Sequence, residues 1–278
     1  MKTKIKSRKT IGLALGSGVY RGFAHIGVLK VLEKHNIPVD YLSGSSIGAW
    51  VAAYYALTKD IKRFEHETLS RPLDSLPMFF ELSLTGGFIN GSKLTTYLEK
   101  SLYHRNFSAA KIPLRIVATD LTSGQPFIFK TGNLALATRA SMSVPLIFKP
   151  VPHQGKLLVD GGLSSPVPCD LVRKMGADIV IGVNLYHKNE FVERKFTMPN
   201  IMLRSTRIAM YNLAQIDVRA ADIIISPDTS PIIKVQGLGK YFTKEVADRL
   251  IKIGEQAAEK AIPAIKKLLT ENGHEKKK

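Results

Sequence analysis

The pentapeptide Gly44-Ser45-Ser46-Ile47-Gly48 constrains the fold more than any other part of this 278-residue chain. It stands between Val39-Asp40-Tyr41-Leu42, which is short, apolar and partly β-branched, and Ala49-Trp50-Val51-Ala52-Ala53-Tyr54-Tyr55-Ala56-Leu57, which has no Gly or Pro. In that setting a G-x-S-x-G spacing predicts a sharp strand-to-helix turn that lifts the Ser46 hydroxyl clear of its own backbone. Gly44 and Gly48, two places to either side, suit the strained dihedrals and close packing of such a turn. A serine held this way is a candidate nucleophile for attack on a carbonyl.

Further apolar runs read as strands over 11–15, 114–119, 126–129, 156–159, 179–183 and 223–225. Helices are predicted over 24–34, ending near Asn36 and Pro38, directly after the elbow, and over 245–269, with Pro263 as a kink or break. The β-α-β start and the continuous apolar strands predict a three-layer α/β fold, a mainly parallel central sheet with helices on both faces. Ser-Gly-Gln-Pro within 123–132 predicts an antiparallel hairpin in that sheet. Residues 60–110 read as the least regular part. Within them, 76–84 (LPMFFELSL) reads as core, with a lid or a lipid-touching patch as the alternative. No repeat or linker divides the chain. One domain is expected over 11–270, between basic tails at 1–10 and 271–278.

The formal net charge of +17 makes the surface attractive to anions, whether phospholipid headgroups, nucleic acid or acidic partners. No nucleic-acid motif or Arg/aromatic stripe accompanies the charge, so no specific nucleic-acid partner is expected. Peripheral contact with an anionic membrane surface and plain solvation remain. The single cysteine, Cys169, rules out an intrachain disulfide or a cysteine zinc cluster and fits a cytoplasmic setting. The apolar run at 11–15 is too short for a secretory signal. Residues 41–58 are uncharged, but their serines and glycines suit the elbow better than a membrane span.

The loop Gly16-Ser17-Gly18-Val19-Tyr20-Arg21-Gly22 follows a strand and opens a helix, so backbone N–H groups face any anion bound there. One reading is a dinucleotide fingerprint with Asp40 as its acidic residue, although the third glycine falls one position late at Gly22. The other is an oxyanion hole. The elbow on the next strand favours the second, because neighbouring parallel strands bring both loops to the carboxyl edge.

A nucleophilic serine needs a base. Of seven histidines, His25 reads as packed or surface and His153 lies in a Pro-rich turn. His187 follows the 179–185 run, where a Ser…Asp…His order would place an imidazole. Asp160-Gly161-Gly162 competes with it: Leu157-Leu158-Val159 ends in a carboxylate, and two glycines then let other backbone come close. A sheltered carboxylate within hydrogen-bond reach takes a serine proton directly. A surface Asp-Gly-Gly turn is the plain alternative.

Together, residues 13–22 (LALGSGVYRG) with Ala24-His25-Ile26-Gly27-Val28-Leu29, then Gly44 to Gly48, then Asp160-Gly161-Gly162, resemble the patatin-like phospholipase family of the compact bacterial type. Arg139-Ala140-Ser141-Met142-Ser143-Val144-Pro145 with Phe148 and Pro150, and Pro166-Val167-Pro168, extend the resemblance, which runs from about residue 10 to residue 230. It implies a patatin-like fold and a serine acyl hydrolase of phospholipid or lysophospholipid esters, with no metal or organic cofactor. It further implies a dyad without histidine, with Ser46 as nucleophile and Asp160 as base, followed by the base-loop glycines Gly161 and Gly162. The oxyanion loop would comprise Gly16, Ser17, Gly18, Val19, Arg21 and Gly22, with Arg21 at the family's Arg/Lys position. The chain departs from the family at Ser17 and Val19, where glycine is common, and the bulk of Val19 and Tyr20 narrows acyl access. An ordinary Asp pKa of ~3.9 suits a base poorly at neutral pH, so a sheltered Asp160 is expected. The rival reading, motivated by the charge, is a membrane-surface or partner-binding protein with vestigial catalysis.

Overall fold

Strand pairing organises the molecule, for which a computed structural model describes residues 8–70, 90–145, 147–188, 197–232 and 243–271. The strands are β1 (Ile11–Leu15), β2 (Tyr41–Ser45), β3 (Leu114–Asp120), β4 (Pro126–Phe129), β5 (Val151–His153), β6 (Lys156–Val159), β7 (Ile179–Val183) and β8 (Ile223–Ile225). They form one sheet in the order β5-β6-β3-β2-β1-β7-β8, with β4 also paired to β3. The run β3-β2-β1-β7-β8 is parallel throughout. The pairs β3-β4, β3-β6 and β5-β6 are antiparallel. The expected hairpin is therefore present as β3-β4, whereas β5 was not anticipated.

The helices are α1 (Phe23–Lys34), α2 (Ile47–Thr58), α3 (Ile61–Leu69), α4 (Ser92–Ser101), α5 (Leu134–Ser141), α6 (Cys169–Lys174), α7 (Met198–Asp217) and α8 (Lys244–Thr270). Alternation along β1 shows why its sequence is apolar throughout. Ile11, Leu13 and Leu15 join the large cluster with α1, α2 and α8, while Ala14 joins a second cluster with Val172, Val180 and Ala214. Both faces of the strand are covered, as buried parallel strands require. The second layer lies close because Gly12 has no side chain: a Cβ there would fall 2.7 Å from that of Ala177 and 2.8 Å from that of Val172.

Three expectations need correction. Residues 60–110 contain α3, capped by Asp60 Oδ1 accepting from Arg63 N at 2.9 Å, and α4. The 76–84 run lies outside the described residues. Pro263 does not break the last helix, which is continuous from Lys244 to Thr270. Pro263 faces solvent while its neighbours Ile262 and Ile265 are buried, so packing holds the helix across the missing N–H. Residues 8–10, grouped above with the basic tail, are tied to the sheet. Arg8 grips Asp40 at 2.6 and 2.7 Å, and Thr10 N donates to Asp178 Oδ2 at 2.8 Å. Among the described residues no helix is long and apolar enough to cross a membrane.

Candidate active site

Ser46 occupies the elbow between β2 and α2 with φ 53° and ψ −123°, a conformation costing about 1–3 kcal/mol unless its surroundings impose it. They do. A Cβ on Gly44 would lie 2.5 Å from Gly48 O and 2.6 Å from Ala49 Cα, and one on Gly48 would strike Leu15 O at the end of β1. Ser46 N donates to Ser141 Oγ at 2.8 Å, and that hydroxyl donates onward to Val117 O at 2.5 Å. The nucleophile's backbone is thus anchored through the end of α5 to β3.

Asp160 arrives by a different route. The last β2 residue, Ser45, pairs with Val117, and the last β6 residue, Val159, pairs with Thr119. Ser46 and Asp160 each follow directly, so neighbouring positions on β3 deliver both. Asp160 N donates to Ser143 O at 3.0 Å, and its carbonyl accepts from Thr119 Oγ1 at 2.8 Å. Its carboxyl oxygens have one donor each, Gly162 N to Oδ1 at 2.8 Å and Ser46 Oγ to Oδ2 at 2.6 Å. Burial pushes the Asp160 pKa up to about 6, opposed by those two hydrogen bonds. A carboxylate at that value is balanced between holding and releasing a proton near neutrality.

The 16–22 loop is held by its carbonyls. Gly16 O accepts from His25 Nε2 at 2.7 Å, and Gly18 O accepts from Arg21 Nε at 2.9 Å and Arg21 N at 3.2 Å. Arg21 also donates to Leu185 O at 2.9 Å, with its guanidinium 4.9 Å above the Tyr186 ring. The Gly16 and Ser17 amides, both within the expected oxyanion loop, are engaged by Val183 O at 3.1 Å and Pro166 O at 2.8 Å. Those of Gly18 and Val19 have no acceptor among the described residues. In a planar trans peptide C=O and N–H point opposite ways, so the grip on Gly18 O turns the Val19 N–H away from Arg21. Val19 holds φ 53°, a costly value for a β-branched residue.

His25 is fully buried beneath this loop, and desolvation lowers its pKa to about 4. Because a carbonyl only accepts, Nε2 carries the proton of the neutral ring. Its place is structural support, the packed one of the two readings its position in the sequence allowed. Ser141 and Thr119 were missed as anchors of Ser46 and Asp160.

An apolar cavity of about 60 Å³ opens beside Ser46, lined among others by Val19, Phe23, Ile47, Met142 and Phe148. Trp50 and Phe64 also line it and meet edge to face at 4.9 Å. The remaining sequence candidates lie elsewhere. His187 Nε2 bonds Pro227 O at 2.7 Å, and His153 meets Phe127 edge to face and Phe129 at a tilt. Asp40 sits at the amino end of β2 against Arg8, so it is at the wrong edge to meet a nucleotide ribose at the glycine loop.

A family model described as patatin-like phospholipase matches residues 13–173, a span that holds both loops and Asp160. Patatin-like phospholipase domain-containing protein 6 of Homo sapiens is 32% identical over 193 residues, covering 67% of this chain and 14% of that protein. An uncharacterized NTE family protein of Mycobacterium tuberculosis is 30% identical over 223 residues, covering 80% of this chain and 61% of its own length. This chain therefore spans less than two thirds of either relative. The crystal structure of VipD from Legionella pneumophila superposes with a TM-score of 0.61 at 13% identity, covering 92% of this chain and 67% of that one. At that identity the likeness speaks to fold alone, and the fold it supports is the mostly parallel sheet between helices described above. With the family model spanning more than half of its length, this chain belongs to the patatin-like phospholipase family.

Proposed function

We propose that the chain is a serine hydrolase of lipid carboxylic esters, with Ser46 as nucleophile and Asp160 as its base. The observation that carries this reading is the 2.6 Å hydrogen bond from Ser46 Oγ to Asp160 Oδ2, placed at an apolar cavity. Asp160 takes the hydroxyl proton as Ser46 Oγ bonds to the ester carbonyl carbon. Negative charge then develops on the carbonyl oxygen, where the Gly18 and Val19 N–H groups supply fixed donors. Collapse of the tetrahedral intermediate expels the alcohol, which leaves with the proton held by Asp160. An acyl-enzyme remains, its hydrocarbon chain in the cavity beside Trp50 and Phe64. Water, deprotonated by Asp160, attacks the acyl carbon, and Ser46 regains its proton as the carboxylic acid departs. Every step uses groups of this chain and water.

Membership of the family supports lipid as the substrate, and the apolar lining supports an acyl chain rather than a polar group. Hydrolysis of p-nitrophenyl and phospholipid esters by the wild type, Ser46→Ala, Asp160→Asn and His187→Ala tests the assignment. The first two substitutions are expected to lower kcat by on the order of 10³-fold or more, and the third to leave it near wild type. Retained turnover in Asp160→Asn with loss in His187→Ala would replace the dyad by a histidine triad.

A further inference from the structure

Among the described residues, most of the exposed large apolar side chains lie on α7. Met198, Ile201, Met202, Ile208 and Ile216 are 71, 42, 47, 40 and 56% exposed. With Ser205, Ala209 and Asn212, also exposed, they recur three or four residues apart and share one helix face. The 20 residues of α7 make that stripe about 30 Å long. Single exposed apolar residues are ordinary, but an aligned row on one helix marks a surface that meets something.

The opposite face of α7 is tied to the site. Met210 Cε packs on Gly162, next to Asp160, and Met210 Sδ accepts from Tyr186 OH at 3.7 Å. That same hydroxyl lies 2.8 Å from Ser17 Oγ. The stripe therefore looks outward from a helix whose inner side touches the base loop and, through Tyr186, reaches the glycine loop. Charge distinguishes the occupants. Asp217 is the sole acid of α7, and it turns inward to Val167 N at 2.9 Å and Ser165 Oγ at 3.1 Å. Arg204 and Arg207 are the other charged residues of the helix, exposed Arg219 follows it, and the whole chain carries +17. An exposed apolar helix face on a chain of this net charge suits an anionic bilayer, with the stripe at the acyl boundary.

We propose that α7 is the helix by which the protein docks on an anionic phospholipid surface, presenting lipid esters to Ser46 without their passage through water. The proposal rests on the lipid-ester reading for its purpose, but its binding arm stands without it.

The test uses the full chain with vesicles of phosphatidylcholine, with or without phosphatidylglycerol, and compares wild type with Met202→Asp/Ile208→Asp. Both positions are exposed, so the variant keeps its core. Wild type is expected to sediment with the anionic vesicles at low salt and to be released at high salt. The variant is expected to bind roughly tenfold more weakly. Its hydrolysis of vesicle phospholipid should fall in parallel, while turnover of a soluble short-chain ester should stay near wild type. Equal vesicle binding by both proteins overturns the proposal. So does a change from dimer to monomer in the variant by ultracentrifugation, which would show that a second copy covers the stripe. Absence of soluble-ester turnover in wild type would instead strike the hydrolase reading and leave the binding result intact.

Discussion

The elbow around Ser46 is hemmed in mainly by backbone atoms, whereas the loop from Gly16 to Gly22, itself closely packed at Gly22 against Ile47, has in addition side chains that hold its carbonyls. In the elbow, atoms of Gly48, Ala49 and Leu15 stand where side chains would be, so only one backbone path fits. In the loop, two buried side chains, Arg21 within it and His25 just beyond it, reach back to hold the Gly18 and Gly16 carbonyls. The difference matches the tasks proposed for them. A nucleophile needs one position, which close packing enforces. Anion donors need one direction, and fixing each peptide by its oxygen aims the N–H on the other side.

The largest effect expected from this contrast is at Gly48. Gly48→Ala drives a methyl into Leu15 O and should cost about 4 kcal/mol or abolish folding, read by chemical denaturation. A folded, fully active Gly48→Ala protein would break the steric half of the comparison. Arg21→Met tests the other half. It frees Gly18 O, so kcat for a soluble ester should fall on the order of 10²-fold with little change in KM, and Arg21→Lys should recover part of the loss. A pure KM effect would mean that Arg21 shapes binding rather than the direction of the Val19 N–H.

Titration separates the regions next. Asp160 has a folded pKa of about 6 against an ordinary 3.8, so the folded state binds the extra proton in that window and loses stability as pH rises through it. Asp160→Asn should therefore be more stable than wild type above pH 6, by about 2 kcal/mol, with the gain gone below about pH 4. His25 runs the other way. Its folded pKa of about 4 lies below the ordinary 6.5, so its contribution is present above pH 6.5 and is lost as pH falls toward 4. The difference in urea midpoint between wild type and Asp160→Asn from pH 4 to 7 measures the first slope, and that between wild type and His25→Gln the second. The smallest expected effect is at Val19, where φ is 53°. Val19→Gly should relieve strain worth about 1 kcal/mol and lower KM for long acyl esters as the cavity mouth widens. A destabilised variant would show that packing of Val19 outweighs its backbone strain.

Much of this architecture was legible in the sequence because strands write themselves as apolar runs, most fully where both faces are buried, as in β1 and β7. The strands at 11–15, 156–159, 179–183 and 223–225 were placed to the residue. The helix α7 was not seen, and the reason is physical: it carries apolar side chains outward, as at Met202 and Ile208, and inward, as at Met210 and Ala214, so no single apolar stripe stands out. The continuity of α8 across Pro263 was hidden because packing of Ile262 and Ile265, not local propensity, decides it. At the site, spacing alone favoured a plain surface turn at Asp160-Gly161-Gly162 and kept His187 as a competing partner for Ser46. What sets them apart is tertiary, the pairing of β6 with β3 just past the end of β2. The anchors Ser141 and Thr119 reach partners 95 and 41 residues away, contacts that no local pattern announces.

The central claim is that Asp160 activates Ser46, and the rate at which a fluorophosphonate labels Ser46 tests it most directly. Labelling of the wild type should rise with pH through about 6 and then level, as the Asp160 carboxylate forms. A folded Asp160→Asn protein should label on the order of 10²-fold more slowly, with no such rise. Equal labelling of the two proteins across that range would contradict the account.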